Sequence, residues 1–409
     1  AAFESTFGNA DEAFATGLDG GYASGDPAPG FGVLRRANAP ATKPGDIDGP
    51  QANPPRDNRI FNKECASLAR EGVDLWFIGA QDGDGVDQGV NTVGIGKANG
   101  VFQRLVTAQL KAWRALRRVR PDLVHVHDPE LIPMVWLWKT LHRKAAVYDA
   151  HEDLVGQMDD KSYIPRPLHP LAMAYARLLV RWADKGFDGI VTSTPHIRTL
   201  YRNPNAAVVH NYPYLRDYPP ASSTPVPGRL VYVGLLSQGR QVDVMIDAVK
   251  RVPGARLLVA GPADADIAPL LEGDDQIEYL GMLPSTEVPG VVATGSVGLV
   301  FLKPLNNYVD SIPTKLFEYL AAGIPAVVSD FPWLRRLLRG HDCCVFVDTT
   351  TADAPAEAIR QLLADPAAAA EMGARGRRAI EDEFNFEAEV PALLAVTRRA
   401  LDRVTGESP

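Results

Sequence analysis

The sequence predicts an α/β protein made of two Rossmann-like domains, each built on a parallel sheet. Three observations lead to this prediction. Short apolar segments alternate with amphipathic segments along most of the chain, which is typical of a parallel sheet covered by helices on both faces. A proline-rich stretch at 212–229 interrupts the alternation once. The chain has 409 residues, more than one ordinary core holds, so two domains are expected.

Composition limits the classes of function. Hydrophobic residues make up 46% and charged residues 22%, as in soluble globular proteins. The net charge of −8 argues against general nucleic-acid binding. No apolar run has the length of a bilayer span, and no signal-peptide pattern opens the chain. Cys65, Cys343 and Cys344 are interpreted as buried thiols, because neighbours in one strand point to opposite faces. These features predict a cytoplasmic protein.

The domain boundaries follow changes in composition. Residues 1–30 are rich in Gly, Ala and Asp and are expected to form a disordered or loosely packed arm. The first domain is predicted at 31–212, the linker at 213–228 and the second domain at 229–385. The last helix, within 386–409, is expected to pack back towards the first domain.

In the first half, apolar runs rich in β-branched residues predict the strands, and periodic segments between them predict the helices. A weak first strand is expected at 31–36, followed by a long loop at 37–57 and a helix at 58–71 that Gly72 ends. Further strands are predicted at 73–78, 123–127, 145–149, 189–193 and 207–210. Further helices are predicted at 101–119, 130–141 and 167–185.

The second half repeats the alternation and ends in helices. Strands are predicted at 230–233, 255–260, 277–280, 298–302, 326–329 and 344–347. Helices are predicted at 242–251, 265–271, 285–293, 313–322, 352–364, 367–383 and 386–404. In this architecture ligands bind outside the carboxyl ends of the strands, so a cleft between the two sheets is the expected site.

The helix at 313–322 carries the strongest functional signal. Ser311 can cap it, Pro313 suits its first position, and a helix N-terminus attracts phosphate. Lys315 adds a positive charge, and Glu318 follows about 7–9 Å from the capped end. A carboxylate there can hold a ribose diol, while Asp310 faces the group beyond the phosphates. The order of sugar, diphosphate and ribose is that of a nucleotide-sugar, whereas the alternative is an ordinary solvated helix face.

Two glycine turns support the first interpretation. Gly234 follows a predicted strand and permits close backbone approach, and Arg240 can then reach a phosphate. Gly261 ends the next strand and could wall a nucleobase pocket.

Two strand ends in the first half carry clustered polar residues. His127 and Asp128 end one strand, with His125 on the same face as His127. The functional interpretation is a histidine that meets a reacting hydroxyl or sugar, and the alternative is a pair of satisfied core histidines.

The second of these strand ends comes shortly after in the sequence. Asp149, His151, Glu152 and Asp153 leave the strand together. Glu152 or Asp153 could hold a polyhydroxyl acceptor or could cap a local turn.

Two charged segments have less specific interpretations. The run from Asp82 to Asp87 resembles a metal loop, but Val86 and Asp87 break the calcium pattern. We predict a flexible acidic loop and no metal. The basic segment at 111–120, with Trp113 and Leu116 interleaved, could touch anionic lipid headgroups, or its cations could stabilise a helix C-terminus.

In order and spacing, these motifs resemble the retaining glycosyltransferases of family 4, which have the GT-B fold. The resemblance also rests on the segments 59–64, 148–153 and 313–325, and it covers roughly residues 56–390. It implies that Glu318 binds ribose and that Arg240 binds the diphosphate. Asp310 stands where the family pattern has a glutamate, and Leu235 where many members have a second basic residue.

The resemblance implies transfer of a sugar from a nucleotide diphosphate sugar to a hydroxyl acceptor. The donor is a co-substrate, and no cofactor or metal is expected. The implied catalytic residues are His127, Arg240, Lys315 and Asp310. The implied donor-binding residues are Glu318, Gly234, Ser311, Ile312, Pro313, Thr314 and Gly261. The implied acceptor-side residues are Arg59, Asp149, His151, Glu152 and Asp153.

Several alternatives remain open at the level of sequence. The acceptor could be lipid-linked, which would place the protein at the inner face of a membrane with peripheral contact. Nucleic acid is not an expected partner. A nucleotide-sugar epimerase on the same fold, or a non-catalytic sugar-nucleotide-binding partner protein, would carry the same donor motifs.

Overall fold

The structure is a computed structural model that describes residues 31–35, 58–96, 103–160, 167–219 and 225–405. The arm expected at 1–30 and the loop expected at 37–57 lie outside the described residues. The chain forms two compact units. Unit 1 contains the residues up to His210 together with those from Glu389 onward, and unit 2 is Asn211–Ala388.

Unit 1 contains an eight-stranded sheet in the order β3-β4-β2-β1-β5-β6-β7-β8. The strands are β1 (Phe31–Arg35), β2 (Asp74–Gly79), β3 (Gly85–Asp87), β4 (Val90–Gly94), β5 (Leu123–Val126), β6 (Ala145–Ala150), β7 (Gly189–Thr192) and β8 (Ala206–Val208). Strands β5 to β8 are parallel, and β2 is parallel to β4. The predicted α/β architecture is confirmed.

Strand β1 differs from the all-parallel prediction, because it is antiparallel to both of its neighbours, β2 and β5. The hairpin β3–β4 is a third antiparallel pair, in a glycine- and aspartate-rich segment without strand periodicity. Apolar alternation predicts that a strand exists but carries no information about its direction. Since β2 and β5 both oppose β1, they run the same way. The carboxyl ends of β2, β4, β5, β6, β7 and β8 therefore lie along one edge of the sheet.

In the described part of unit 1, the following helices precede residue 210. They are α1 (Asn58–Cys65, continued by Ala66–Arg70), α2 (Gln103–Ala108, continued by Gln109–Val119), α3 (Ile132–His142), α4 (Leu154–Asp160), α5 (His169–Gly186) and α6 (Pro195–Arg198). Gly72, at φ +80°, ends α1 as predicted. No helix in the described part of the chain is long and apolar enough to cross a membrane.

Unit 2 contains six parallel strands in the order β11-β10-β9-β12-β13-β14. They are β9 (Arg229–Val233), β10 (Arg256–Ala260), β11 (Ile277–Tyr279), β12 (Val297–Val300), β13 (Ala326–Ser329) and β14 (Cys344–Val347). Leu230 and Val231 belong to different apolar clusters on opposite faces. The sheet is therefore buried on both faces, as its continuous apolar strands predict.

The helices of unit 2 are α7 (Val242–Lys250), α8 (Val288–Val292), α9 (Asn306–Val309), α10 (Thr314–Ala321), α11 (Pro332–Leu337), α12 (Asp353–Ala364) and α13 (Pro366–Asp382). The helix predicted at 265–271 is only a single turn, Ala268–Leu271. The last helix, α14 (Phe386–Thr405), begins in unit 2 and continues in unit 1. Within unit 1, Asn205 Nδ2 donates to Val396 O of α14 at 3.0 Å.

Candidate active site

The start of α10 has the free N–H groups that the sequence predicts. Helix α10 begins at Thr314, and Pro313 precedes it in extended backbone. The N–H of Leu316 donates to Pro313 O at 3.0 Å. Among the described residues, no acceptor takes the N–H groups of Thr314 and Lys315. The amino end of this helix is therefore able to bind an anion.

The prediction that Ser311 caps this helix is wrong. The Ser311 hydroxyl instead donates to Tyr308 O at 2.8 Å. The short helix α9 ends directly before it, with Asp310 as the residue that follows its last turn. Ser311 thus closes the carboxyl end of α9 and leaves the amino end of α10 uncapped. Ile312, half-buried, links the two helices.

Lys315 folds back towards the carboxyl end of β9. Its Nζ donates to Tyr232 Oη at 2.8 Å and lies 4.2 Å from the centre of that ring. Burial lowers the pKa of Lys315 well below its usual value, and the nearby charge of Arg240 lowers this pKa further. The negative charge of Glu318 raises the pKa of Lys315 and so opposes these two effects. An anion bound beside Lys315 would stabilise its protonated form.

Arg240 is the second cation of this site. Its Nε is buried and has no hydrogen-bond partner within the described residues. Its guanidinium carbon lies 5.8 Å from the ring centre of Tyr308, and its backbone N–H donates to Ser237 Oγ at 3.3 Å. Since an unpaired buried donor is costly, the site favours a ligand that accepts from Arg240.

The two predicted glycine turns pack against each other at this point. Gly234 has φ +140° and Gly261 has φ +130°. A Cβ on Gly234 would lie 2.7 Å from Lys315 Nζ, and a Cβ on Gly261 would lie 2.1 Å from Gly234 O. Both positions therefore require glycine. Gly234 leaves room for the Lys315 side chain, and Gly261 allows the ends of β9 and β10 to approach each other closely.

Glu318 lies one helical turn after Lys315 and is half-buried. Its negative charge adds to the effect of burial in raising the pKa of Tyr218. The carboxylate is therefore close to both Tyr218 and Lys315, on the face of α10 that carries the lysine.

In unit 1 three predicted site residues, Arg59, His127 and Asp149, belong to a buried charge cluster. Glu64 and His125, also buried, complete it. Arg59 donates from Nε and Nη2 to the two carboxylate oxygens of Asp149, at 2.9 and 3.0 Å. Arg59 Nε also lies 3.2 Å from Glu64 Oε1. One guanidinium thus holds two carboxylates away from solvent.

His127 is hydrogen bonded within this cluster. Its Nδ1 lies 3.1 Å from Asp149 Oδ2. Burial alone would raise the pKa of Asp149, but Arg59 and His127 hold it well below its usual value. Burial lowers the pKa of His127, so the ring is neutral near pH 7. An ionised carboxylate accepts the Nδ1 proton, which leaves Nε2 of the neutral ring as a hydrogen-bond acceptor.

The cluster changes the interpretation of the acceptor-side residues. Arg59 is 6% exposed and Asp149 is fully buried, and they bond to each other. These two side chains hold His127 rather than face solvent. The ligand atoms of Glu64, His125 and His127 lie within 4.8 Å of one another, a grouping that could hold a metal ion. The Arg59 guanidinium already supplies a positive charge there.

The remaining strand-end residues separate by role. Asp153 Oδ1 accepts from the N–H groups of Val155 and Gly156, both at 3.0 Å, so Asp153 caps α4. Of the two interpretations of Asp153, the cap is the one observed. The backbone oxygen of His151 accepts a hydrogen bond from Ser193 Oγ at 2.6 Å. The ring Nδ1 of His151 is buried without a hydrogen-bond partner among the described residues. Glu152 is half-buried.

Two charged segments differ from their predictions. Residues Gly85–Asp87 form β3, so the flexible loop is wrong for that part of the acidic run. Leu116 is fully buried and Trp113 packs against the core, so the apolar residues interleaved in α2 face inward. Leu116 is therefore not available for lipid contact, and Trp113 is only partly exposed. All three cysteines carry free thiols. Cys65 and Cys343 are buried, as predicted, whereas Cys344 is half-buried.

Sequence reasoning missed Glu64, Tyr232 and Tyr308. Tyr232 follows the ordinary pattern of a buried strand, and only its position two residues before Gly234 hints at its contact with Lys315. Glu64 lies on α1 five residues after Arg59. This spacing gives no signal, because residues that share a face of an ordinary helix are three or four positions apart.

The buried histidines make stability sensitive to acid. Burial lowers the pKa of His125 to about 3 from 6.5, and the neighbouring His127 also has a lowered pKa. The unfolded chain therefore binds more protons between these values. We expect the free energy of unfolding to fall as pH drops below 6.5, by up to about 1.4 kcal/mol per pH unit for each buried histidine. Urea unfolding at a series of pH values measures this slope.

A matched pair of variants tests the assignment of the acid sensitivity. His125→Asn should make the pH dependence shallower, whereas His196→Asn, at an exposed position, should leave it unchanged. Equal slopes in both variants would refute the role of His125.

Comparisons with known proteins match both units of the chain. Residues 58–211 match the family model described as "Glycosyl transferase 4-like domain", and residues 240–395 match the model described as "Glycosyl transferase-like". The chain is 24% identical over 311 residues to a glycogen synthase of Mycobacterium tuberculosis, covering 70% of this chain and 71% of that protein.

Solved structures share the fold. The sucrose-phosphate synthase of Thermosynechococcus elongatus matches with a TM-score of 0.68 and 16% identity, covering 83% of this chain and 92% of that one. The Anabaena protein HepE in complex with UDP-glucose matches with a TM-score of 0.59 and 13% identity, covering 76% and 86%. With both units matched by family models, the chain belongs to the family 4-type glycosyltransferases of GT-B fold.

Proposed function

We propose that this glycosyltransferase is a retaining enzyme that moves a sugar from a nucleotide diphosphate sugar to a hydroxyl acceptor. One observation carries the proposal. Lys315, with a lowered pKa, and Arg240, with an unpaired buried donor, converge on the uncapped amino end of α10. Two cations and free N–H groups suit a diphosphate. Thr314 and Ile312 lie at the same end. We assign Glu318, one helical turn after Lys315, as the residue that accepts hydrogen bonds from the ribose diol.

The proposed mechanism is attack from the same face as the leaving group. The bond from the anomeric carbon to the diphosphate oxygen breaks, and the acceptor oxygen bonds to that carbon. The departing phosphate oxygen takes the acceptor proton. Lys315, Arg240 and the N–H groups at the start of α10 stabilise the developing negative charge, without a requirement for a metal ion. Asp310 lies at the end of α9, directly before these groups, and we assign it to the transferred sugar.

In unit 1, His127 accepts a hydrogen bond from a sugar hydroxyl through Nε2. Its orientation is supported by the Asp149 carboxylate on Nδ1 and by Arg59 behind that carboxylate. His151 and Glu152 are the half-buried polar residues left for the acceptor at this sheet edge. Relatives named glycogen synthase and sucrose-phosphate synthase support a hexose as the transferred sugar.

We retain a lipid-linked acceptor and a cytoplasmic location at a membrane surface as part of the proposal. Support comes from α5, where Leu171, Tyr175 and Leu178 are exposed beside Arg177 and Arg181. Apolar side chains flanked by cations suit an anionic lipid surface.

Donor screening tests the function. UDP-, GDP- and ADP-sugars are compared for thermal stabilisation, because a ligand at 100 times its Kd adds about 2.7 kcal/mol of stability. One nucleotide series should raise the melting temperature, and Glu318→Ala should reduce the gain given by the ribose-containing ligand. Absence of stabilisation by every nucleotide would defeat the proposal.

Analysis of the reaction products distinguishes a transferase from an epimerase and from a non-catalytic partner protein. Only a transferase makes a new glycoside, whereas an epimerase changes the donor without an acceptor. Donor binding without turnover against any acceptor pool would favour a non-catalytic partner protein. The anomeric configuration of the product, measured by NMR, decides between retention and inversion.

Gly234→Ala should weaken donor binding without unfolding unit 2. The new Cβ would overlap Lys315 Nζ and force a residue at φ +140° into a strained backbone. We expect the Kd for the diphosphate ligand to rise about tenfold or more, because the lysine must leave its position. Isothermal titration calorimetry measures the change. Gly290→Ala is the control, since a Cβ there has no neighbour within 4 Å.

A further inference from the structure

A second group of cations lies in unit 1, away from the buried cluster. Lys111, Arg114 and Arg118 are three and four residues apart on α2, so they share one face. They line an open cavity of about 480 Å³ with the segment that follows β2 and the end of β4. The other lining residues are Gln81, Asp82, Gly83, Val93, Gly94, Ile95, Gly96 and Ala115.

The charges in this cavity are only partly paired. Asp84, beside the cavity, binds Arg118 at 2.8 Å and accepts from the Gly94 N–H at 3.2 Å. Within the described ranges, Lys111 and Arg114 have no carboxylate partner. Lys111 Nζ lies beside Gly96, since a Cβ built on that glycine would be 3.4 Å from it. Two unpaired cations match a phosphate monoester, which carries a charge of about −1.5 to −2 at pH 7.

The cavity lies at the edge of the sheet where the parallel strands end. Its lining includes the segments that follow β2 and β4, whose carboxyl ends share this edge with those of β5 and β6. His127 directly follows β5, which is two strands from β2 and three from β4. At about 4.8 Å per strand, the cavity and His127 are roughly 10–15 Å apart along that edge.

We propose that this cavity binds a phosphoryl group carried by the acceptor, through Lys111 and Arg114. That the phosphoryl group belongs to the acceptor rests on the proposed function. The binding of an anion in the cavity does not depend on that function. The acceptor would then carry its phosphate about 10–15 Å from the hydroxyl that receives the sugar. One hexose phosphate does not span that distance, so the acceptor would be a phosphorylated chain of at least two sugar units.

Phosphate binding tests the site directly. Inorganic phosphate is titrated at constant ionic strength by calorimetry, in a Lys315→Met background that removes the α10 contribution. We expect Lys111→Gln/Arg114→Gln to raise the Kd at least tenfold. The charge-matched control Arg117→Gln/Arg202→Gln, at exposed positions outside the cavity, should leave it within about twofold.

Three results would overturn the site. They are no saturable phosphate binding, equal Kd values in all variants, or equal weakening in the cavity and control variants, which would mean only general attraction to a basic surface. Failure of the proposed function looks different. In that case no nucleotide of the donor screen stabilises the otherwise wild-type protein, while the cavity variant still loses phosphate binding. If both proposals hold, Lys111→Gln/Arg114→Gln keeps its stabilisation by the nucleotide that the screen identifies.

Discussion

Replacing Lys315 by methionine should lower kcat/KM about 10²–10³-fold, the usual effect of removing one preorganised charge from a transition state. The side chain keeps a similar length but loses the charge that would stabilise the leaving diphosphate. Steady-state assays with the donor identified by screening measure the loss. Lys250→Met is the matched control, because that lysine is exposed and pairs with Asp274 in the same unit.

The lowered pKa of Lys315 predicts that donor binding is coupled to uptake of a proton. Burial lowers the pKa of Lys315 in the free protein, and a bound diphosphate should raise it again. Binding should therefore take up a proton, and affinity should fall as pH rises through the lowered pKa. Calorimetry in buffers of different ionisation enthalpy detects the uptake. If Lys315→Met still takes up the proton, another group is responsible.

Replacing Arg59 by methionine should destabilise unit 1 by about 3–5 kcal/mol, because it leaves two buried carboxylates without their cation. Asp149 is fully buried and bonds the guanidinium through both oxygens. Chemical denaturation followed by circular dichroism measures the free energy of unfolding.

A second ion pair provides the comparison. Lys144 binds Asp122 in the same unit, but both side chains are about one-third exposed. Lys144→Met should cost no more than about 1 kcal/mol, since water screens the pair. A similar cost for both variants would mean that the Arg59 cluster is not a buried network of charges.

The element types were predictable because each unit repeats an apolar strand and a helix. Strands Ala326–Ser329 and Cys344–Val347 match the predicted bounds, since each is short, apolar and flanked by breakers. The direction of β1 was not predictable, because alternation does not distinguish parallel from antiparallel neighbours. The hairpin β3–β4 was missed because turn-forming residues dominate that segment.

The site was predictable where one segment carries several signals. Lys315, Glu318 and Thr314 lie within a single helical turn and a half, so sequence spacing fixes their relation. The contact between Lys315 and Tyr232 joins residues 83 positions apart, and the Arg59–Asp149 pair spans 90 positions. Such pairs come together only through sheet topology, which local spacing does not encode. Ser311 was mistaken for a cap because α9, a single turn, has no periodic signal.

The helix α14 gives the chain an order of assembly. Unit 2 is one continuous stretch, Asn211–Ala388, whereas unit 1 uses residues from both sides of it. On the ribosome, every residue of unit 2 emerges before Val396, whose carbonyl accepts from Asn205. Unit 2 can therefore finish folding first, while the earlier-made unit waits for its closing helix.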